Sequence, residues 1–206
     1  MRRRLRPAYS AAELAALYAR PHEHTRFPDH LLRVETTIAM GTWMLRERLN
    51  VAVADLSTGD SAIPTGIAYA RTVDMRETHL ILGDFAPQHP KTLTSYPRYQ
   101  YTGPIEDTIE RLQVAEIGGI DLFVCSETIE HLDNPEAVLK QIRHKSRMLL
   151  LSTPIGETDD GNPEHYWGWD PPDVSQMLRG CGWNPSIMTE LKFLHYPYDF
   201  QIWGCD

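Results

Sequence analysis

The sequence predicts an α/β protein with a doubly wound, mostly parallel seven-stranded sheet, an antiparallel last strand and an N-terminal helical cap. From Val51 onward, short apolar runs alternate with stretches of helical periodicity, the pattern of a parallel sheet covered on both faces. The last two runs, 186–191 and 200–204, are joined by a loop instead of a helix, which predicts an antiparallel edge. Ahead of the first run the chain reads as helix only. Residues 1–48 are therefore the expected cap and 49–206 the expected sheet domain.

In the cap, Ser10 and Glu13 have capping-box spacing, Leu14, Leu17 and Tyr18 follow on one face, and Pro21 closes the helix. A polar stretch (His22, Glu23, His24, Thr25, Arg26) leads to a second helix after Asp29, with Leu31, Val34 and Ile38 as its buried stripe and Gly41 marking its middle or end. The first strand is 51–54, ending at Asp55, and Pro64 starts the next helix, where a first turn tolerates it. Strand 79–82 stops at Gly83 and Asp84, and 99–102 is a weaker strand ended by Gly103 and Pro104. Strand 121–125 is strongly apolar. Asn134, Pro135 and Glu136 open a helix running to about His144, followed by strand 148–151. Asp170 and Pro171 open the last helix, which ends at Gly180.

Composition narrows the function. The chain of 206 residues is 42% apolar and 23% charged, ordinary for one globular unit. Twenty Lys plus Arg against twenty-eight Asp plus Glu leave a formal charge of −8, which argues against a nucleic-acid partner. Arg2, Arg3, Arg4 and Arg6 read as a mobile, solvated end. The sequence has neither a membrane-spanning apolar stretch nor a recognisable secretory signal, and Cys125, Cys181 and Cys205 show no paired or zinc-binding spacing. A reducing, cytoplasmic setting is expected.

In an open parallel sheet, ligands bind beyond the carboxyl ends of the strands. Acids gather there: Asp55, Asp60, Asp84, Glu106, Asp107, Glu127 and Glu130 all follow strands. Such tips suit a ligand with a ribose, an amino group and a positive charge, and repel phosphates. These residues resemble the class I S-adenosylmethionine-dependent methyltransferases, a Rossmann-like family, over roughly 51–206. The clearest match is Asp121-Leu-Phe-Val-Cys-Ser-Glu-Thr-Ile-Glu-His-Leu-Asp-Asn-Pro135, similar to the family's fourth strand and the turn after it. The family's acid and three alternating glycines become Asp55, Ser57, Gly59 and Ser61, so only the central glycine survives. The resemblance implies that Asp55, Leu56, Ser57 and Gly59 form the cofactor loop, that Asp84 takes the ribose hydroxyls, that Phe85 flanks adenine, that Ile105 and Glu106 lie at the adenine edge, and that Ser126 borders the cofactor.

Methyl transfer from a sulfonium requires alignment, exclusion of water and, for a hydroxyl acceptor, removal of a proton. Glu127, Glu130 and His131 stand at i, i+3 and i+4 and converge on one side of a turn, and His165 follows the fifth strand. Two carboxylates and two imidazoles form a first shell for Mg, Mn, Fe or Zn. The quartet resembles the metal site of small-RNA terminal 2′-O-methyltransferases and, in its acid pair plus His, ubiquinone-pathway O-methyltransferases. Three roles are open for these residues: metal ligands, a metal-free general base at His131 or His165, and purely structural groups. The expected function is methylation of a small-molecule acceptor at a hydroxyl oxygen. Its rivals are a metal-dependent RNA or nucleotide 2′-O-methyltransferase and a non-catalytic cofactor-binding partner protein. In the cap, Tyr18, Arg26 and Arg33 are candidates for holding the cofactor carboxylate or an acidic acceptor, with a surface salt bridge as the plainer role.

Overall fold

A computed structural model describes residues 2–17, 28–85, 98–112, 118–158, 162–194 and 199–206. The chain runs β1 (Arg3–Arg4), α1 (Ala11–Leu17), α2 (Pro28–Met44), β2 (Val51–Asp55), α3 (Ala62–Thr72), β3 (Thr78–Asp84), β4 (Arg98–Thr102), α4 (Ile105–Arg111), β5 (Ile120–Ser126), α5 (Pro135–Lys145), β6 (Ser146–Ile155), β7 (Trp167–Gly168), α6 (Pro171–Gly180), β8 (Pro185–Leu191) and β9 (Asp199–Cys205). The main sheet has seven strands in the order β4-β3-β2-β5-β6-β9-β8. β2 pairs in parallel with β3 and β5, β3 with β4, and β5 with β6, whereas β9 runs antiparallel to both β6 and β8.

Alternation along each strand divides the core between the two faces. Val51, Val53, Leu122, Val124 and Leu150 face α2 and α3, while Ala52, Ala54, Phe123, Cys125, Leu149 and Leu151 face residues of α4, α5 and α6. Both strand sets are fully covered, which is why they read as continuous apolar runs. The predicted caps form: Asn134 Oδ1 accepts from the Ala137 amide at 3.2 Å, and Asp173 reaches back to the Asp170 amide at 3.0 Å. The Ser10–Glu13 capping box closes as well, with the Glu13 carboxylate taking the Ser10 amide at 2.7 Å.

Two expectations hold in sharper form and two need correction. The two closing strands form the expected antiparallel edge: β9, the last strand, pairs antiparallel with both β6 and β8, and β8 is outermost. Gly41 lies within α2 near its end: a Cβ there would lie 2.6 Å from Ile67 Cδ1, so glycine lets the helix approach α3 closely. Val34 and Ile38 face the core as expected, but Leu31 is exposed, and His30, Arg33 and Thr37 are buried in its place, because the helix crosses strand ends that present hydroxyl groups. The arginine-rich start is not a solvated end: Arg3 and Arg4 pair antiparallel with Gly168 and Trp167. Tyr18, Pro21, His22, Glu23, His24, Thr25 and Arg26 lie outside the described residues.

Candidate active site

The parallel strands all end at one edge, and so does the start of antiparallel β9. Asp55 closes β2 there, nearly buried, with its Oδ1 accepting the Ser57 amide at 3.0 Å. Burial, together with the charges of Asp84 and Asp60, pushes its carboxyl up to about 7. Asp84 closes β3, and its Oδ2 accepts the Gly59 amide at 2.8 Å, joining the two loops. Gly59 has a left-handed backbone (φ 53°), and so does Ser61 (φ 65°), at the position where the family pattern has its third glycine. The serine adopts the glycine conformation and carries its strain. Thr58 Oγ1 and Ser61 Oγ are buried in this loop without a hydrogen-bond partner. Orphaned hydroxyls of this kind cost about 1–3 kcal/mol each unless a ligand completes them. Phe85 follows Asp84 half-buried, Glu106 is exposed in the first turn of α4, and Ile105 packs in the core with Leu56 and Ile109.

A second cluster follows β5. Ser57 Oγ lies 2.6 Å from Thr128 Oγ1 and ties the β2 loop to the 3-10 turn Ile129–His131. Glu127, just before it, holds a left-handed backbone (φ 50°) uncommon for a non-glycine residue. Its amide donates to the Ser152 carbonyl at 3.0 Å and its carboxylate accepts from Ser152 Oγ at 3.0 Å. Ser152 Oγ in turn lies 2.8 Å from Ser126 Oγ, which accepts from Arg33 at 2.6 Å. Arg33, for which a surface salt bridge was the plainer expected role, is fully enclosed on the inner face of α2. Donors and acceptors alternate correctly along this row, so the guanidinium supports the Glu127 carboxylate through two serine hydroxyls.

Glu130 is completely buried. Its Oε2 accepts from Thr153 Oγ1 at 3.1 Å, while Oε1 has no hydrogen-bond partner and sits 4.0 Å from His131 Nε2. Burial, then the neighbouring Glu127 and Glu157 charges, hold its carboxyl well above the usual carboxylate range. His131 Nδ1 faces the Glu164 carbonyl at 3.0 Å, and a carbonyl only accepts, so this nitrogen carries the hydrogen. His165 is 4% exposed; its Nδ1 faces both Glu157 carboxylate oxygens at 2.7 Å and its Nε2 faces Asn162 Nδ2 at 2.9 Å. The two imidazoles meet edge-on at 4.8 Å between centroids. Ligand atoms of Glu130, His131 and His165 lie within 4.8 Å of one another; Glu127 stands outside this group.

Sequence reasoning missed Glu157, the partner of His165, and Gly168. A Cβ at Gly168 would overlap the Glu157 carbonyl oxygen, so the close crossing that brings Glu157 to His165 requires glycine. It missed Arg6 as well, whose Nε donates to the His165 carbonyl at 3.1 Å. The signal available for the arginines was the aromatic run Tyr166, Trp167, Trp169: Arg2 lies 4.1 Å from the Trp167 ring centroid and Arg4 5.0 Å from that of Tyr166.

No protein-family model matches the sequence, and no curated protein matches it. Solved structures do match in fold. The 1,6-didemethyltoxoflavin N1-methyltransferase of Burkholderia thailandensis, bound to 1,6-didemethyltoxoflavin and S-adenosylhomocysteine, superposes with a TM-score of 0.65 at 13% identity, over 97% of this chain and 91% of that one. Magnesium protoporphyrin IX methyltransferase from Synechocystis PCC 6803 with bound S-adenosylhomocysteine gives 0.62 at 14% identity, over 94% and 93%. An O-methyltransferase family protein from Burkholderia thailandensis gives 0.52 at 12% identity, over 84% of this chain and 55% of that one. With the seven-stranded order and its antiparallel last strand, the chain has the Rossmann-like fold of class I methyltransferases.

Proposed function

We propose that this protein is an S-adenosylmethionine-dependent methyltransferase acting on a small-molecule acceptor at a hydroxyl oxygen. The observation that carries the reading is the Asp55–Gly59–Asp84 arrangement at the tips of β2 and β3. Here two carboxylates flank a left-handed glycine, beside two buried hydroxyls that lack partners. Asp84 would take the ribose hydroxyls, Gly59 would let the backbone pass close to the methionine portion, and Phe85 and Glu106 would flank the adenine. A cation beside Asp55 favours the ionised form that burial opposes. Bound there, S-adenosylmethionine supplies an electrophilic methyl group on a sulfonium.

The chain's own residues then have to hold the acceptor and remove its proton. His131 is anchored through Nδ1, which leaves Nε2 as the base on the side facing Glu130. When Nε2 takes the hydroxyl proton, the imidazolium gives buried Glu130 the opposite charge it lacks, and favours its ionisation. The Glu157–His165 pair provides a second proton acceptor within ring contact of the first. Residues 1–48 contribute Arg33, which orders Glu127 at the boundary between cofactor and acceptor. The separate buried thiols Cys125, Cys181 and Cys205 support a reducing, cytoplasmic setting.

A metal-assisted form of the same reaction is the second reading, favoured by the buried Glu130 oxygen without a partner beside two imidazoles. Glu130, His131 and His165 would hold a divalent ion, which would lower the acceptor hydroxyl pKa. Coordination through His165 Nε2 would displace the Asn162 amide. RNA is disfavoured as the acceptor, because Arg2 and Arg4 are committed to Glu136 and Asp133 and the formal charge is −8.

The test is calorimetric titration with S-adenosylmethionine, followed by product detection on a panel of hydroxylated and aminated small molecules, with and without chelator. Binding with turnover on hydroxyls is expected. Binding without turnover on any acceptor would favour a non-catalytic partner protein, and activity lost with chelator and restored by a divalent ion would select the metal form.

A further inference from the structure

We propose that the N-terminal segment Arg2–Tyr9 is a clamp that sets the position of the His165 imidazole, with Arg6 as its positioning residue. The inference rests on the reading above only in taking His165 to belong to the reaction site. Its evidence is separate. His165 is carried by a stretch without helical support, so the place from which its side chain starts is set by contacts that hold that backbone from outside. The clamp does this at the turn that bears it. Arg6 Nε donates to the His165 carbonyl at 3.1 Å, and Arg6 Nη2 donates to the Asn162 carbonyl at 2.9 Å. One planar guanidinium thus grips both ends of the four-residue turn. Tyr9 adds a third point: its hydroxyl donates to the Pro163 carbonyl at 2.5 Å and accepts from Arg6 Nη1 at 2.7 Å.

Asn162, whose carbonyl Arg6 holds, is also the residue whose side chain faces His165 Nε2 at 2.9 Å and caps the Glu164 amide at 3.0 Å. Moving that carbonyl therefore moves the neighbour of the imidazole. The rest of the segment anchors the clamp. The Leu5 amide donates to the Tyr166 carbonyl at 2.8 Å, and the Tyr9 amide donates to the Tyr166 hydroxyl at 2.9 Å. Side chains alternate along the strand: Arg3 is exposed, whereas Arg2 and Arg4 turn onto Trp167 at 4.1 and 4.6 Å and continue to Glu136 and Asp133. From the opposite side the Glu130 carbonyl accepts the Tyr166 amide at 2.7 Å. The stretch is thus fixed between the clamp and the turn that carries His131.

The deciding measurement needs no acceptor and no cofactor. Protein labelled with 15N at histidine is compared as wild type, Arg6→Ala, Arg6→Lys and Tyr9→Phe by long-range 1H–15N spectra, which report the tautomer of each ring, with the His165 signals assigned by His165→Gln. Wild type is expected to show one Nδ1–H tautomer for His165. Arg6→Ala should convert it to an averaged mixture, Arg6→Lys should restore it in part, and Tyr9→Phe should shift it less in the same direction. In separate arms, Arg6→Ala should leave S-adenosylmethionine affinity within about threefold and lower kcat about ten- to a hundredfold, as loss of orientation does. His165 signals identical to wild type in a folded Arg6→Ala protein would overturn the clamp; if that variant does not fold, unchanged His165 signals in Tyr9→Phe would do the same. Failure of wild type to bind S-adenosylmethionine would overturn the proposed function and leave the tautomer result standing.

Discussion

The two sides of the candidate site are held in place by different means. At the tips of β2 and β3 the supports are local or come from the adjacent strand: Asp55 caps Ser57, Asp60 caps Ala62, and Asp84 takes the Gly59 amide. Around His165 only the imidazole partner Glu157 is near in sequence, and the backbone supports converge from remote parts of the chain, with Arg6 on the turn and the Glu130 carbonyl on the next amide. Strand ends place their own first loop residues. A histidine on irregular backbone needs partners that the fold must bring to it, so the cofactor side should tolerate distant changes that the chemistry side does not.

The largest effect is expected from the histidines themselves. His131→Ala and His165→Ala should each lower turnover by about 10³-fold while leaving S-adenosylmethionine affinity within about threefold, measured by methyl transfer and calorimetry. Equal losses of both quantities would mean that the two sides are one mechanical unit.

Next comes pH. Asp55 is raised to about 7 in the folded protein, against about 3.9 in an unfolded chain. Between those values the folded state keeps a proton that the unfolded state has released, so this group makes stability fall as pH rises from about 4 to about 7, by up to about 4 kcal/mol. Glu130 acts in the same direction. Urea melts of the ligand-free protein should show this slope, and Asp55→Asn should flatten it; parallel profiles would assign the slope to other groups.

Asp84→Ala should weaken cofactor binding about ten- to a hundredfold and leave the His165 tautomer untouched, an outcome that tests the independence of the two sides directly. Gly168→Ala should do the reverse. It pushes on the Glu157 backbone and should destabilise by about 1–3 kcal/mol, with cofactor affinity retained in the folded fraction. The smallest change belongs to Asp133→Ala. Its carboxylate is largely exposed in the ion pair with Arg4, so less than about 1 kcal/mol should be lost in thermal melts.

The same local-versus-remote difference governs what could be read from the sequence. The strands, the caps at Asn134 and Asp170, Asp84 at its strand end and the Glu130–His131 spacing are all set by neighbours a few residues away. The enclosure of Arg33 was not legible because helical periodicity assigns Leu31 to the inward stripe, whereas the strand ends below offer Ser126 and Ser152 to a guanidinium. The β1–β7 pairing was invisible because each strand is two residues long and carries no alternating pattern. Glu157 has no motif around it; only the crossing at Gly168 brings it to His165.

The position of β9 has a consequence for how the molecule assembles. β9 is made after β8 yet lies between β8 and β6 in the sheet. The parallel strands through β6 can dock as they emerge during synthesis, but β8 has no sheet neighbour until β9 inserts. Registration of both strands is therefore one late, cooperative event, and until it happens the outer side of β6 and both sides of β8 are bare backbone ladders. That interval is when the growing polypeptide is most exposed to self-association and when a chaperone would have the most to cover.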